Sequence, residues 1–349
     1  GKQLMTARKT GFVLLFVITL LGIGVTVVLN SWRKTPYGTL HTNAALVLKL
    51  IEFRQMDIFA NNATPTQIRE ASASGRSILQ KALTPVHQIQ NTTFPGPAGP
   101  VPIRLYIPDQ RNELPVVIYY HGGGWVIGSL DSHDNICRSL ANKASAIVVS
   151  VGYRLAPENP FPAAIDDAYA AFIWVSKNIS TYNGNPDKIA VAGDSAGGNL
   201  AAAVSLMNRD RAGPGLSAQI LIYPATDLSS LNTESYHQFE DGYFLTKNYI
   251  ENFRSMYLPD PSDWKKELAS PLLANNLSEL PPALVLTAEF DPLRDEGEAF
   301  AEKLKASGTS ARFIRYKGMI HGFAGMDRLF DESEDAIEDI AGFLKEVFR

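Results

Sequence analysis

The chain has 349 residues, 45% of them hydrophobic and 19% charged, enough to bury a large core in one sizeable α/β domain. Its 32 Lys and Arg against 36 Asp and Glu give a net charge of −4, and with no long basic run this argues against a nucleic-acid binder. The single cysteine, Cys137, rules out an internal disulfide and a cysteine-based zinc site, and reads as a small buried apolar residue.

The first 35 residues differ from the rest. Residues 11–29, GFVLLFVITLLGIGVTVVL, carry no charge. As a helix rising about 1.5 Å per residue, such a run would cross a bilayer core of about 30 Å. A cleaved signal peptide has a shorter apolar region, about 7–15 residues, and a small-x-small cleavage site that the following NSWRK lacks. Residues 1–35 are therefore expected to hold an uncleaved membrane anchor, with secretion after signal cleavage as the alternative. Lys2, Arg8 and Lys9 precede the span and Arg33 and Lys34 follow it. This slight excess predicts the main domain on the non-cytoplasmic side. Residues 36–349 read as that domain.

From residue 36 to 85 the pattern is helical. ALVLKLIEFRQMDIF sets Leu46, Leu50, Phe53 and Ile58 on one side of a helix. In TPTQIREASASGRSILQKAL, Thr64 is the expected N-cap and Pro65 the first helical residue. After FPGPAGPVP, short apolar runs alternate with helical stretches. Strands are predicted at 115–120, 146–153, 188–193, 218–224, 283–290 and 311–316. Nearly continuous apolar strands separated by helix-length segments imply an α/β fold, a mostly parallel sheet covered on both faces. Residues 228–270 interrupt the alternation. There GYFLTKNYIENFRSMYL places Tyr249, Ile250, Phe253, Met256 and Tyr257 at helical spacing, as a core stripe or as a lid over a pocket.

Two glycine-rich stretches follow predicted strands. HGGGW, residues 121–125, comes after the strand PVVIYY. His-Gly-Gly-Gly arises by composition in roughly one chain of this size in 400. Successive glycines at a strand end can aim backbone N–H groups at one point with no side chain in the way, as an oxyanion hole requires. GDSAGG, residues 193–198, lies between the strand KIAVAG and the helix GGNLAAAV. Its Gly-x-Ser-x-Gly pattern alone is weak, since roughly one chain in eight would hold it by chance. The strand–turn–helix setting is what makes Ser195 a candidate nucleophile, because such a turn strains the serine backbone and exposes its hydroxyl. A phosphate loop is the rival reading, but no Lys follows these glycines.

A serine nucleophile needs a base, and the base an orienting acid. Of the six histidines, none forms a metal-ligand pair. His321, in GMIHGF, follows the last predicted strand at the sheet edge that also carries Ser195 and the glycines. His133 and His237 fall in a loop and in the insertion, as surface or pocket-lining residues. Asp291, after ALVLTAEF, is the favoured acid, with Asp227 its competitor and Glu289 third. The order Ser195, Asp291, His321 is the one an α/β-hydrolase requires.

HGGGW, YRLAPENPFPAAIDD (153–167), GDSAGGNL, DPLRDEG (291–297) and HGF (321–323) together resemble the hormone-sensitive-lipase-like branch of the α/β-hydrolases, over roughly residues 85–349. The resemblance implies a bacterial-type carboxylester hydrolase working without a cofactor on small ester substrates. Ser195 would be its nucleophile, His321 its base and Asp291 its acid. It implies oxyanion donors at the N–H groups of Gly122, Gly123 and Ala196, and a cap for which residues 36–85 and 228–270 fit. Short-to-medium acyl esters are the expected substrates, with amide hydrolysis or arylacetamide-type deacetylation as the alternative. Plant gibberellin receptors of the same branch lack the histidine base, so His321 argues against a purely ligand-binding role.

Overall fold

Strands that are apolar along both faces must be covered on both, and here they build one eight-stranded sheet. The computed structural model describes residues 26–59 and 63–349. It divides into two units, up to Met56 and Asp57–Arg349.

In the first unit, residues 26–33 are helical. A two-residue hairpin, β1 (Lys34–Thr35) and β2 (Gly38–Thr39), leads to helix α1 (Thr42–Arg54). Gln55, at φ 49°, turns left-handed and stops α1. Ile58 therefore does not continue the expected stripe, and Leu46, Leu50 and Phe53 are exposed. The expected membrane-anchored location is corrected. Among the described residues no helix is long and apolar enough to cross a membrane. Residues 11–25 of the proposed span lie outside the described residues. The helical residues 26–33 would reach only about 12 Å, and they end in the charged Arg33.

In the second unit, helix α2 (Pro65–Leu79) starts as the sequence predicts. The Thr64 hydroxyl accepts from the Gln67 N–H while the Gln67 side chain accepts from the Thr64 N–H. The sheet then comprises β3 (Gln88–Gly96), β4 (Gly99–Ile107), β5 (Leu114–Tyr120), β6 (Ile147–Val151), β7 (Gly184–Asp194), β8 (Ala218–Ile222), β9 (Ala283–Phe290) and β10 (Ala311–Ile320). Its spatial order is β10-β9-β8-β7-β5-β6-β4-β3. From β10 to β6 all neighbours are parallel, and β4 and β3 add antiparallel strands at one edge. That edge hairpin escapes sequence reading because its prolines, among them Pro95, Pro100 and Pro102, argue against a strand. Pro95 lies on the edge strand β3, and Pro100 and Pro102 come before Ile103, where the pairing of β4 with β6 starts, which removes the objection.

The connecting helices are α3 (Asp134–Ala144), α4 (Ala163–Asn178), α5 (Ala196–Asp210), α6 (Glu234–Gln238), α7 (Lys247–Tyr257), α8 (Arg294–Ala306) and α9 (Glu332–Val347). Along β5, Val116, Ile118 and Tyr120 join the core that includes Phe172 and Val175 of α4 and Leu200 and Val204 of α5. Val117 and Tyr119, also buried, point to the opposite face. Cys137 is buried on α3, as expected, and burial pushes its thiol well above the ordinary range.

Two buried carboxylates brace the loops around this sheet. Asp167, fully buried, accepts from Arg154 Nε and Nη2, both at 2.8 Å, and from the Arg154 N–H at 3.0 Å. The stretch YRLAPENPFPAAIDD is thereby closed onto itself. Glu296, in the first turn of α8, accepts from the N–H groups of Thr226 and Asp227 at 2.6 and 3.2 Å. Those residues open the 228–270 insertion. Its far end returns to the same place, where Leu272 donates to the Thr226 carbonyl and Ser270 Oγ accepts from Leu228. Glu296 thus grips the neck of the insertion.

Asp167→Ala leaves the Arg154 guanidinium without its partner and is expected to destabilise the protein by roughly 3 kcal/mol, read by chemical denaturation. A loss below the ~0.5 kcal/mol of an ordinary surface change would contradict this role. Burial pushes the Glu296 carboxyl up from 4.5 to about 8. The folded protein therefore keeps a proton that the unfolded chain releases between those values, so this group's stabilisation falls as pH rises through that window and levels off above it. Glu296→Gln has no such proton to lose. Its melting temperature relative to wild type is expected to rise between about pH 5 and 8, and a pH-independent difference would refute the linkage.

Candidate active site

Strand β7 ends at Asp194 and α5 begins at Ala196, so Ser195 alone makes the turn. Its backbone sits at φ 56°, ψ −117°, a conformation that costs a non-glycine residue of order 1–3 kcal/mol. The turn holds because its polar groups are satisfied. The Ser195 N–H donates to the Ile222 carbonyl at 2.8 Å, and its own carbonyl accepts from Asn199 at 3.0 Å. It also needs small neighbours. A Cβ at Gly197 would overlap the Tyr120 carbonyl oxygen, and one at Gly193 would overlap the Gly197 backbone. The glycines of GDSAGG are thus demanded by the close passage of β5, β7 and α5.

The other sequence-derived residues converge on this hydroxyl. His321 follows β10, and its Nε2 lies 2.9 Å from Ser195 Oγ. Its Nδ1 lies 2.7 Å from Asp291 Oδ2, just beyond β9. Asp291 is fully buried, and its other oxygen accepts from the Leu293 N–H at 2.9 Å. The competing acids are engaged elsewhere. Asp227 accepts from the Ser229 N–H and hydroxyl, and Glu289 from the Gly318 N–H. Behind the imidazole stands the Tyr223 ring, at a centroid distance of 4.6 Å. A hydroxyl bonded to an imidazole that is itself bonded to a buried carboxylate can be deprotonated as it attacks a carbonyl carbon.

The glycine run divides into two parts. Gly122 does not serve as expected, because its N–H donates to Asp194 Oδ1 at 2.9 Å and is not free for a ligand. The Gly122 carbonyl lies 2.9 Å from His121 Nδ1. The Gly123 carbonyl accepts from Val126 and Ile127 at 3.0 and 2.9 Å. In planar trans peptides the N–H points opposite to the preceding carbonyl, so the N–H groups of Gly123 and Gly124 face away from these partners. Among the described residues, the N–H groups of Gly123, Gly124 and Ala196 have no protein acceptor. Gly124 and Trp125 are left-handed, at φ 57° and 60°.

Several residues that shape this run carry no sequence signal of their own. Tyr153 donates its hydroxyl to the His121 carbonyl at 2.7 Å and stacks on the His121 ring at 4.3 Å. His133 is buried, not at the surface, with Nε2 3.1 and 3.2 Å from the Asp194 oxygens. His237 is exposed, as expected. From the insertion, α7 presses Phe253 against Gly124, where a Cβ would overlap the ring. Tyr257 of α7 stacks on Trp125 at 4.3 Å. Phe59 packs edge-on against both Tyr249 and Phe253, at 5.2 and 5.1 Å. Arg69 of α2 donates to the carbonyls of Val126 and Ala156 at 2.8 and 2.9 Å. Aromatic spacing in α7 was legible in the sequence; the partners of these rings were not.

A protein family described by its alpha/beta hydrolase fold matches residues 117–325. The carboxylic ester hydrolase LipN of Mycobacterium tuberculosis is 44% identical over 264 residues, 74% of this chain and 70% of that protein. The carboxylesterase NlhH of the same organism is 48% identical over 228 residues, 64% of this chain and 71% of its own. Among solved structures, an esterase from Pyrobaculum calidifontis superposes with a TM-score of 0.81 at 44% identity, covering 86% of this chain and 97% of that one. Fold, family match and relatives agree: the chain belongs to the alpha/beta hydrolase fold family, among the carboxylesterases of its hormone-sensitive-lipase-like branch.

Proposed function

We propose that this chain hydrolyses carboxylic esters with Ser195 as nucleophile, His321 as general base and Asp291 as its orienting acid. The observation that carries the reading is the unbroken relay from Ser195 Oγ through His321 to Asp291, 2.9 and 2.7 Å long. His321 Nε2 takes the Ser195 proton as Oγ adds to the ester carbonyl. The tetrahedral oxyanion is held by the N–H groups of Gly123 and Ala196, with Gly124 in the place first given to Gly122. The α5 N-terminus adds its positive dipole to the same spot. His321 then protonates the departing alcohol, and a water activated by the same imidazole releases the acid from the acyl-enzyme. Asp291 holds the imidazole in its orientation and stabilises the imidazolium that forms.

Within the second unit, α2 and residues 228–270 form the cap over this site. The support is their hold on the glycine run: Arg69 on the Val126 carbonyl, Phe253 on Gly124, Tyr257 on Trp125. Short-to-medium acyl esters suit it. The Phe253 ring against Gly124 and the Phe244 ring close to Gly322 take space beside the relay that a long chain would need.

With p-nitrophenyl acetate or butyrate, wild type is expected to turn over readily. Ser195→Ala should lose roughly 10⁴-fold or more in kcat, and Asp291→Asn about 10⁴-fold. Equal rates for wild type and Ser195→Ala would sink the assignment. Across esters from acetate to palmitate, kcat/KM is expected to peak at or below about eight carbons. A peak at palmitate would rule out the acyl preference, and faster turnover of an acetanilide would mark an amide hydrolase.

A further inference from the structure

In Gly-x-Ser-x-Gly the residue before the serine is free to vary, yet here it is a carboxylate set in a built cradle. Asp194 is buried, and its oxygens accept from Tyr119 Oη at 2.8 Å and from the Gly122 N–H at 2.9 Å, with His133 Nε2 at 3.1 and 3.2 Å. Tyr119 is on β5, Gly122 is in the glycine run that follows it, and His133 precedes α3. All three donors therefore come from the β5 side of the sheet, while Asp194 is bonded covalently to Ser195. The contact is close, since a Cβ at Gly122 would overlap Asp194 Oδ2.

We infer that Asp194 is a positioning residue that fixes the glycine run relative to the nucleophile, so that the Gly123 and Gly124 N–H groups face the developing oxyanion. It rests on the reading of Ser195 as nucleophile. A buried carboxylate is costly unless fully hydrogen-bonded. If the position served only to pack, a small neutral residue would fill it at lower cost. The carboxylate instead supplies acceptors for a backbone N–H, a phenol and an imidazole at once. By accepting the Gly122 N–H it anchors that peptide plane at the start of the run, and the next two planes are held in turn by His121 at the Gly122 carbonyl and by Val126 and Ile127 at the Gly123 carbonyl. The role concerns charge that exists only in the tetrahedral intermediate, so its loss affects the transition state and not the bound ester.

The test compares wild type, Asp194→Ala, Asp194→Asn, Gly122→Ala and Ser195→Ala in the full chain. The readouts are kcat and KM on p-nitrophenyl butyrate, and inhibition by a trifluoromethyl ketone and by its unfluorinated counterpart. With the fluorinated ketone, Ser195 Oγ bonds to the carbonyl carbon, the serine proton passes to His321, and the carbonyl oxygen becomes an oxyanion in the hole. The plain ketone binds without that addition. Asp194→Ala is expected to lose about 100-fold in kcat with KM within about threefold, as for loss of an oxyanion donor. It should weaken the fluorinated ketone in parallel and leave the plain ketone unchanged. Asp194→Asn keeps an oxygen for the Gly122 N–H and should stay within about tenfold of wild type. Gly122→Ala displaces the same carboxylate from the other side and should reproduce the Ala signature, which keeps the test decisive if Asp194→Ala does not fold. Wild-type kcat in folded Asp194→Ala, or equal weakening of both ketones, overturns the inference. Activity retained by Ser195→Ala would instead overturn the nucleophile assignment on which it stands.

Discussion

The backbone carbonyl of Tyr120 lies so close to Gly197 that no side chain fits between them. This contact brings the end of β5 and the start of α5 together, and much of the site depends on it. Because α5 starts that close to β5, the chain must reverse within one residue after β7, and Ser195 takes the left-handed strain. Because β5 ends there, its glycine run passes directly beside the elbow. The order β8-β7-β5-β6 puts these two strands at the centre of the sheet, where packing on both faces can offset the strain.

Sequence reading recovered those features that repeat or that chemistry demands in a fixed order. The parallel strands announce themselves as runs such as ALVLTAEF, and the helices by their apolar spacing. The convergence of Ser195, Asp291 and His321 was legible because each follows a strand at one sheet edge, in the order an acyl-transfer site requires. Residue type alone does not separate Asp227 from Asp291, since both follow strands. Their partners separate them: Ser229 holds one and His321 the other. The β3–β4 hairpin stayed hidden because its prolines carry meaning only once their places, on the edge strand and ahead of the β4–β6 pairing, are known. Three successive glycines look alike in sequence, and the bond to Asp194 is what tells Gly122 from the other two. For His133 the sequence left surface and pocket lining open, because burial of a loop histidine depends on a carboxylate 61 residues away in the chain.

The segment with the least regular pattern is also bound to the glycine run through side chains. Residues 228–270 are closed at the neck by Glu296 and Ser270, and their helix α7 rests on the glycine run through Phe253 and Tyr257. Ring contacts of this kind change with the residue that makes them, whereas backbone hydrogen bonds survive a change of side chain. A fixed catalytic edge and a changeable covering are thus built from different kinds of interaction.

On the proposed mechanism, the place of His321 bears on the moment at which this protein becomes reactive. Its strand, β10, is the outermost of the sheet and pairs only with β9. The serine is laid down 126 residues earlier in the chain. On the ribosome, a growing chain needs β8 as well as β7 and α5 before the Ser195 N–H finds its Ile222 partner, and even then it has no imidazole to deprotonate the hydroxyl. Its hydroxyl stays as inert as any alcohol until the last strand docks. On that mechanism the topology itself delays chemistry until β10 has docked beside β9.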